Sequence, residues 1–239
     1  MVLKRFQTGN ALVSMTIHCH GPFSRKVSKI MSKTQRVIAH VKSILLTPYA
    51  YLTVFFERRP TTDVGRWQSP ENLSPDWDER TALIAALVPA GSSVIEFGAA
   101  RLVLRRHLDP SCSYQPVDLV KRSDDTIVFD LNGALPKLPQ QYDVAIFSGV
   151  LEYVHDLGRI MEWLPRISRS VIFSYAVTDM LSDPVTRRQN GWVNSFSDKE
   201  IRRIVGMAGL DVRSSQPWRQ QIIYLCQFPT TPADRGSAV

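Results

Sequence analysis

The sequence predicts an α/β protein: a doubly wound, mostly parallel sheet of seven strands with an antiparallel C-terminal edge, preceded by a basic N-terminal extension. Three observations point there. From Ser93 onward, short apolar runs alternate with segments of helical period. Tyr142 to Ser148 is a near-continuous apolar run, the pattern of a strand covered on both faces. The last two runs, Leu210–Arg213 and Gln221–Gln227, are joined by a short connection containing Ser-Gln-Pro, which suits a hairpin at the sheet edge.

A chain of 239 residues is long enough for one sizeable core, or for one core with an appendage. Apolar residues make up 44% and charged residues 21%, which fits a globular protein and excludes a mainly disordered or a polytopic membrane chain. The formal charge of +7 is unevenly placed. Residues 1–59 hold ten Lys or Arg and one acid, Glu57, so that stretch carries +9 and the remainder −2. The body therefore lacks the basic footprint of a nucleic-acid binder, and no nucleic-acid partner is expected. Cys19, Cys112 and Cys226 are widely spaced with no C-x-x-C pair, indicating neither a disulfide framework nor a zinc knuckle. A reducing, cytoplasmic setting is the default. His18-Cys19-His20 are adjacent and do not easily converge on one ion, so no metal is expected.

Taken in order, residues 1–36 are rich in Ser, Thr, Lys and Arg, contain no acid and hold no sustained period, so they read as a mostly unstructured extension. A transit peptide and a basic arm lying on an anionic membrane compete with that reading, and Met31 is an alternative start. Residues 37–75 combine an apolar segment with a wrapping linker punctuated by Pro60, Gly65, Pro70 and Pro75. The apolar part, Val37 to Phe56, is interrupted by Lys42 and Pro48. Beyond Lys42 it is shorter than the roughly 20 residues of a bilayer span. Packing on the domain is the first reading of it, and weak membrane-surface contact through residues 1–59 the second.

The domain proper is expected over residues 76–228. Asp76 with Glu79 has capping-box form, and Leu83, Ile84, Leu87 and Val88 set an apolar stripe on the helix that follows. Ser93–Phe97 reads as a buried strand running into the turn Gly98-Ala99-Ala100-Arg101 and a helix from Ala100 to Leu108. Further strands are expected at Tyr114–Val117, Thr126–Phe129, Tyr142–Ser148 and Ser170–Tyr175. Between the last two lies a helix opened by Asp156 and carrying Ile160, Met161, Leu164 and Ile167. A polar loop from about Val177 to Phe196 leads to a second capping box, Ser197 with Glu200, and a helix ending at Gly209. Residues 229–239 read as a frayed tail.

Three strands end in acids: Glu96 late in the first, Asp118 just after the second and Asp130 just after the third. In a doubly wound sheet the carboxyl ends of neighbouring strands line one crevice, so these groups and Ser148 converge on one ligand. Asp118 follows Gly98 at the spacing where such folds place the carboxylate that accepts bonds from ribose hydroxyls, and an adenosine-containing cofactor follows.

Here the chain resembles the class I S-adenosylmethionine-dependent methyltransferases, whose fold is Rossmann-like. Val94-Ile95-Glu96-Phe97-Gly98 is similar to that family's first motif, Val117-Asp118 to its ribose-binding acid and Phe129-Asp130-Leu131 to its adenine-edge acid. Phe147-Ser148-Gly149-Val150-Leu151-Glu152-Tyr153 resembles the segment that closes over the cofactor, and Ala208-Gly209-Leu210 the late helix-to-strand signature. The resemblance implies S-adenosyl-L-methionine as cofactor, held by Glu96, Gly98, Ala99, Ala100, Arg101, Asp118, Leu119, Asp130, Leu131, Ser148 and Gly149. One departure stands out: the family usually has further glycines where this chain has Ala99, Ala100 and Arg101. A dinucleotide's pyrophosphate needs close backbone N–H groups, so the change counts against NAD, whereas S-adenosylmethionine has no phosphate. Arg101 is placed either to meet the methionine carboxylate or to pair with a surface acid.

Methyl transfer from a sulfonium is a direct displacement, so holding acceptor and methyl in line is the main task. A base is needed only if the acceptor must lose a proton. His155 and Tyr153 are the candidate catalytic residues, with Glu152 a third. The alternatives are that Tyr153 stacks on the cofactor and His155 is a loop residue. In the long loop, Asp179, Arg187, Arg188, Trp192 and Asn194 are candidates for an acceptor pocket. The expected reaction is methylation of a small-molecule or saccharide hydroxyl; a non-catalytic relative that binds an adenosyl ligand and an NAD-dependent oxidoreductase are the rivals.

Overall fold

A computed structural model of the chain describes residues 62–229, all within the compact unit Thr53–Val239. The expectations for residues 1–36, for Val37 to Phe56 and for the tail beyond Pro229 lie outside the described residues.

Seven strands form one sheet: β1 (Ser93–Phe97), β2 (Ser113–Asp118), β3 (Ile127–Val128), β4 (Tyr142–Ser148), β5 (Ser168–Tyr175), β6 (Asp211–Trp218) and β7 (Gln221–Gln227), in the spatial order β3-β2-β1-β4-β5-β7-β6. β1 to β5 pair in parallel, and β7 runs antiparallel to both β5 and β6. The doubly wound sheet with its antiparallel C-terminal edge is therefore as the sequence predicts. Order reverses at β1, which lies between β2 and β4, and such a switch point opens a crevice at the strands' carboxyl ends. Phe97 is in register with Phe147, so Gly98 and Ser148 leave the sheet side by side.

Side chains alternate across the strands. Ile95, Phe97, Ala145, Phe147, Val171 and Phe173 join one apolar layer with α4 (Leu157–Trp163) and α6 (Asp198–Met207). Val94, Val144, Ile146, Ile172 and Ile223 face the other way, onto Ile84 and Ala85 of α2 (Asp78–Ala85) and Leu104 of α3 (Val103–His107). Both faces are buried, which is why Tyr142–Ser148 is apolar without a break from Val144 to Phe147. Asp156 caps α4 by accepting from the Arg159 amide, and Ser197 with Glu200 forms the expected capping box on α6.

Four local expectations are corrected. The helix after β1 begins at Val103 rather than Ala100, because Ala100 (φ 44°) and Leu102 (φ 55°) are left-handed and cannot start a right-handed turn. Asp76 does not form a capping box. It lies in a 3₁₀ turn, Pro75–Trp77, capped by Ser74, and α2 starts two residues later. The hairpin turns at Arg219-Gln220, and Ser215-Gln216-Pro217 lies inside the longer β6, where proline sits on the sheet's edge. The polar loop after β5 contains a helix, α5 (Pro184–Gln189), capped by Asp183 with proline in its first turn. The linker ahead of Asp76 also holds a short helix, α1 (Val64–Gln68).

Candidate active site

A cavity of about 370 Å³ opens at the carboxyl ends of β1, β2 and β4, within the size range of small-molecule sites. The cofactor-binding candidates Glu96, Gly98, Ala99, Ala100, Arg101, Asp118, Leu119, Asp130, Leu131, Ser148 and Gly149 all line it, and Tyr153 does too. His155 does not. Its ring is exposed, and its backbone N–H donates to Asn132 Oδ1 at 2.8 Å. Of the five long-loop candidates only Trp192 lines the cavity. Arg187 is buried and donates to Ala176 and Leu181 carbonyls and to Ser195 Oγ, Asn194 donates to the Leu151 and Val154 carbonyls, and Asp179 accepts from the Asp198 amide. These side chains hold the loop in shape.

At one end of the cavity, Asp118 is 6% exposed and accepts from the Ala100 amide at 2.8 Å and the Val120 amide at 3.1 Å. Arg122 pairs with it at 3.1 Å and donates to the Trp67 carbonyl at 2.7 Å, tying α1 to this end. Asp130 accepts from the Asn132 amide, and Arg159 fixes the loop after β3 through the carbonyls of Leu131 and Gly133. The Asp118 carboxylate thus holds the left-handed Ala100 of the loop after β1 in place.

Gly98 has φ +73°, and a Cβ there would stand 2.5 Å from Val150 Cγ2. Glycine is therefore required by both backbone and packing. Beside it lies Glu96, 3% exposed. Its carboxyl is pushed up to about 8, chiefly by burial and further by the Asp118 charge; the bond from the Tyr114 hydroxyl and the Arg80 and Arg105 charges oppose the rise.

The sequence reading missed Arg80. This α2 side chain is 5% exposed and lines the cavity. Its Nε donates to Ser148 Oγ at 3.0 Å, Nη2 to the Ser148 carbonyl at 3.1 Å and Nη1 to Gln221 Oε1 at 2.9 Å. All three partners are neutral, and burial lowers the guanidinium's pKa. The side chain packs so closely on Gly149 that a Cβ there would lie 2.5 Å from Nη1. The signal was its place four residues before Ile84, a cation on the buried stripe of α2. Arg101, by contrast, pairs with Asp78 at 2.8 Å on the partly exposed rim.

Beside α1, Trp67 meets Tyr153 edge-on at 4.9 Å, and Trp192 Nε1 donates to the Tyr153 hydroxyl at 3.2 Å. Burial raises the Tyr153 pKa, with the nearby Glu152 charge adding to it, so the phenol stays protonated. Glu152 itself is wholly buried behind the cavity wall, where its Oε1 accepts from the Ala176 amide at 2.8 Å. Among the described residues, no group of three or more His, Cys, Asp or Glu is arranged to hold a metal, and no helix is long and apolar enough to cross a membrane.

Comparison with known proteins agrees with this architecture. Among curated protein sequences none matches the chain. Among solved structures, a chain of the complex between the Trm112 methyltransferase activator of Haloferax volcanii and a methyltransferase superposes with a TM-score of 0.53 at 15% identity, over 70% of this chain and 95% of that one. The N-methyltransferase NodS of Bradyrhizobium japonicum WM9, bound to S-adenosylhomocysteine, gives 0.51 at 14% identity over 69% and 99%. The O-methyltransferase NcsB1 of neocarzinostatin biosynthesis, bound to S-adenosylhomocysteine and 1,4-dihydroxy-2-naphthoic acid, gives 0.51 at 19% identity over 72% and 62%. Identities this low speak for the fold alone. The sequence profile described as a methyltransferase domain matches residues 70–215, more than half of the chain, and the chain belongs to that family, the S-adenosylmethionine-dependent methyltransferases.

Proposed function

We propose that the cavity binds S-adenosylmethionine between Asp118 and Arg80 and that the chain methylates a hydroxyl of a small-molecule acceptor. The observation that carries this reading is that one carboxyl, Glu96, and one guanidinium, Arg80, are both buried and both line the cavity near the ends of β1 and β4. Together they complement a zwitterionic amino-acid tail, which a methionine moiety has and a pyrophosphate lacks. Among the described residues Arg80 meets no carboxylate at hydrogen-bond distance, so a ligand carboxylate would supply the charge its neutral partners do not. Glu96 is suited to take the α-ammonium, and Asp118 and Asp130 the hydroxyl and adenine edges. Gly98 and Ala99 bring backbone close to the ligand, and Ser148 and Gly149 form the floor with Arg80.

When bound, S-adenosylmethionine supplies an electrophilic methyl group on a sulfonium. The chain's own residues bind and orient. Tyr153, kept protonated, acts as a hydrogen-bonding and packing group rather than as a base, and His155 stays outside the reacting region. Arg101 belongs to the rim, closing it through Asp78. Thr62 and Trp67 also line the cavity, which supports a catalytic domain that reaches back beyond the expected start at Asp76. O-methyl transfer is the activity NcsB1 is named for, and a hydroxyl acidic enough to lose its proton to solvent suits a cavity whose residues supply orientation more than proton removal. Incubation with S-adenosylmethionine and a panel of hydroxylated acceptors, with release of S-adenosylhomocysteine as readout, tests the reading. Acceptor-dependent release supports it, and its absence across phenols, polyketide-like alcohols and saccharides, in protein that binds the cofactor, contradicts it.

A further inference from the structure

We infer that the tryptophan-lined wall of the cavity is an acceptor subsite for a planar aromatic hydroxyl compound rather than for a saccharide or a cationic amine. The inference rests on the methyl-transfer reading above. The chain has five tryptophans. Trp163 belongs to the core, while Trp67, Trp77, Trp192 and Trp218 all line the cavity. They come from α1, the 3₁₀ turn ahead of α2, the loop after α5 and the end of β6, so no single amphipathic element accounts for their convergence. Flat rings walling a cavity favour a flat ring between them.

Charge selects among flat ligands. Each of these indoles already has a guanidinium near its face: Arg66 at 5.8 Å from Trp67, Arg187 at 4.8 Å from Trp192, and Arg80 at 5.9 Å from Trp77 and 5.4 Å from Trp218. A cationic acceptor would compete with these guanidiniums for the indole faces. A neutral phenol meets no such competition.

Proton removal selects among hydroxyls. Tyr153 stays protonated, Glu152 is turned behind the wall onto the Ala176 amide, and His155 is outside the cavity. Because Tyr153 accepts from Trp192 Nε1, its own hydrogen is left to donate to an acceptor oxygen. A phenol, which ionises at about pH 10, yields its proton to water far more readily than a sugar hydroxyl. The phenolate oxygen then forms a bond to the methyl carbon with its own electron pair, the pair of the broken carbon–sulfur bond stays on sulfur, and the proton has gone to solvent.

The test is calorimetric titration of the full chain with 2-naphthol, methyl glucoside and phenethylamine in the presence of saturating S-adenosylhomocysteine, followed by mass spectrometry for the O-methyl product with S-adenosylmethionine. One-to-one binding of 2-naphthol with its methylation, and about tenfold weaker naphthol binding in Trp67→Leu and Trp192→Leu with S-adenosylhomocysteine binding kept, is the expected result. Binding of methyl glucoside or phenethylamine in preference to 2-naphthol overturns the inference, and so do leucine variants that bind 2-naphthol like the parent. Should either variant fail to fold, the competition among the three ligands on the parent chain decides. Loss of S-adenosylhomocysteine binding in the parent would strike the cofactor reading instead, and naphthol binding measured alone would still judge the aromatic subsite.

Discussion

Glu96→Gln isolates the buried carboxyl on which the cavity's electrostatics turn. In the folded chain this group is raised from 4.5 to about 8. The difference of about 3.5 units, at about 1.36 kcal/mol each, makes ionised Glu96 cost the folded state up to about 5 kcal/mol. A raised folded value means that the contribution is fully present below pH 4.5 and is lost as pH rises to about 8, because the unfolded chain releases a proton that the folded chain keeps. Glutamine keeps an acceptor for the Tyr114 hydroxyl and has no charge to bury. Urea unfolding of both proteins at pH 5, 6.5, 8 and 9 measures the difference. The parent is expected to lose stability relative to the variant by about 1 kcal/mol per pH unit between pH 5 and 8, with the two curves parallel above that. Parallel curves throughout, or a parent that gains on the variant as pH rises, would refute the assignment of a buried, neutral Glu96.

Other outcomes follow from the same geometry. S-adenosylhomocysteine should bind more tightly at pH 8 than at pH 6 in the parent but not in Glu96→Gln, since the ammonium prefers the ionised carboxylate; calorimetry at the two pH values checks it. Arg80→Ala is expected to weaken S-adenosylhomocysteine binding by about 10- to 100-fold, the loss of a charge-assisted contact, while Arg101→Ala, on a rim pair where each side chain is about a third exposed, should change it less than about threefold. Gly98→Ala should cost about 2–4 kcal/mol in denaturant unfolding, from the left-handed backbone and the contact with Val150. Ser197→Ala, which removes the cap of α6, should cost about 1 kcal/mol and leave ligand binding intact.

The central strands were legible because they are buried on both faces: the apolar run from Tyr142 and the acids at the ends of β1 and β2 fix sheet and crevice together. Local signals failed where tertiary contacts override them. Ala100 carries no sign of a left-handed conformation, which comes from its bond to Asp118, eighteen residues away in the chain. Pro217 reads as a turn residue but lies in an edge strand that needs nothing from its missing N–H. The site divides the same way. Residues at strand ends were found from spacing, whereas Arg80 and three of the four cavity tryptophans come from helices, turns and a hairpin whose convergence no spacing encodes. His155 was drawn in by its place after β4, yet the chain turns there and Asn132 binds its backbone.

On the binding mode proposed above, the cavity holds a phosphate-free adenosyl ligand through Glu96 and Arg80. Calorimetric titration of the full chain with S-adenosylhomocysteine and, separately, with NAD decides whether it does. One-to-one binding of S-adenosylhomocysteine, weakened by Arg80→Ala, with no comparable response to NAD is the expected result; tight NAD binding with no response to S-adenosylhomocysteine would overturn it.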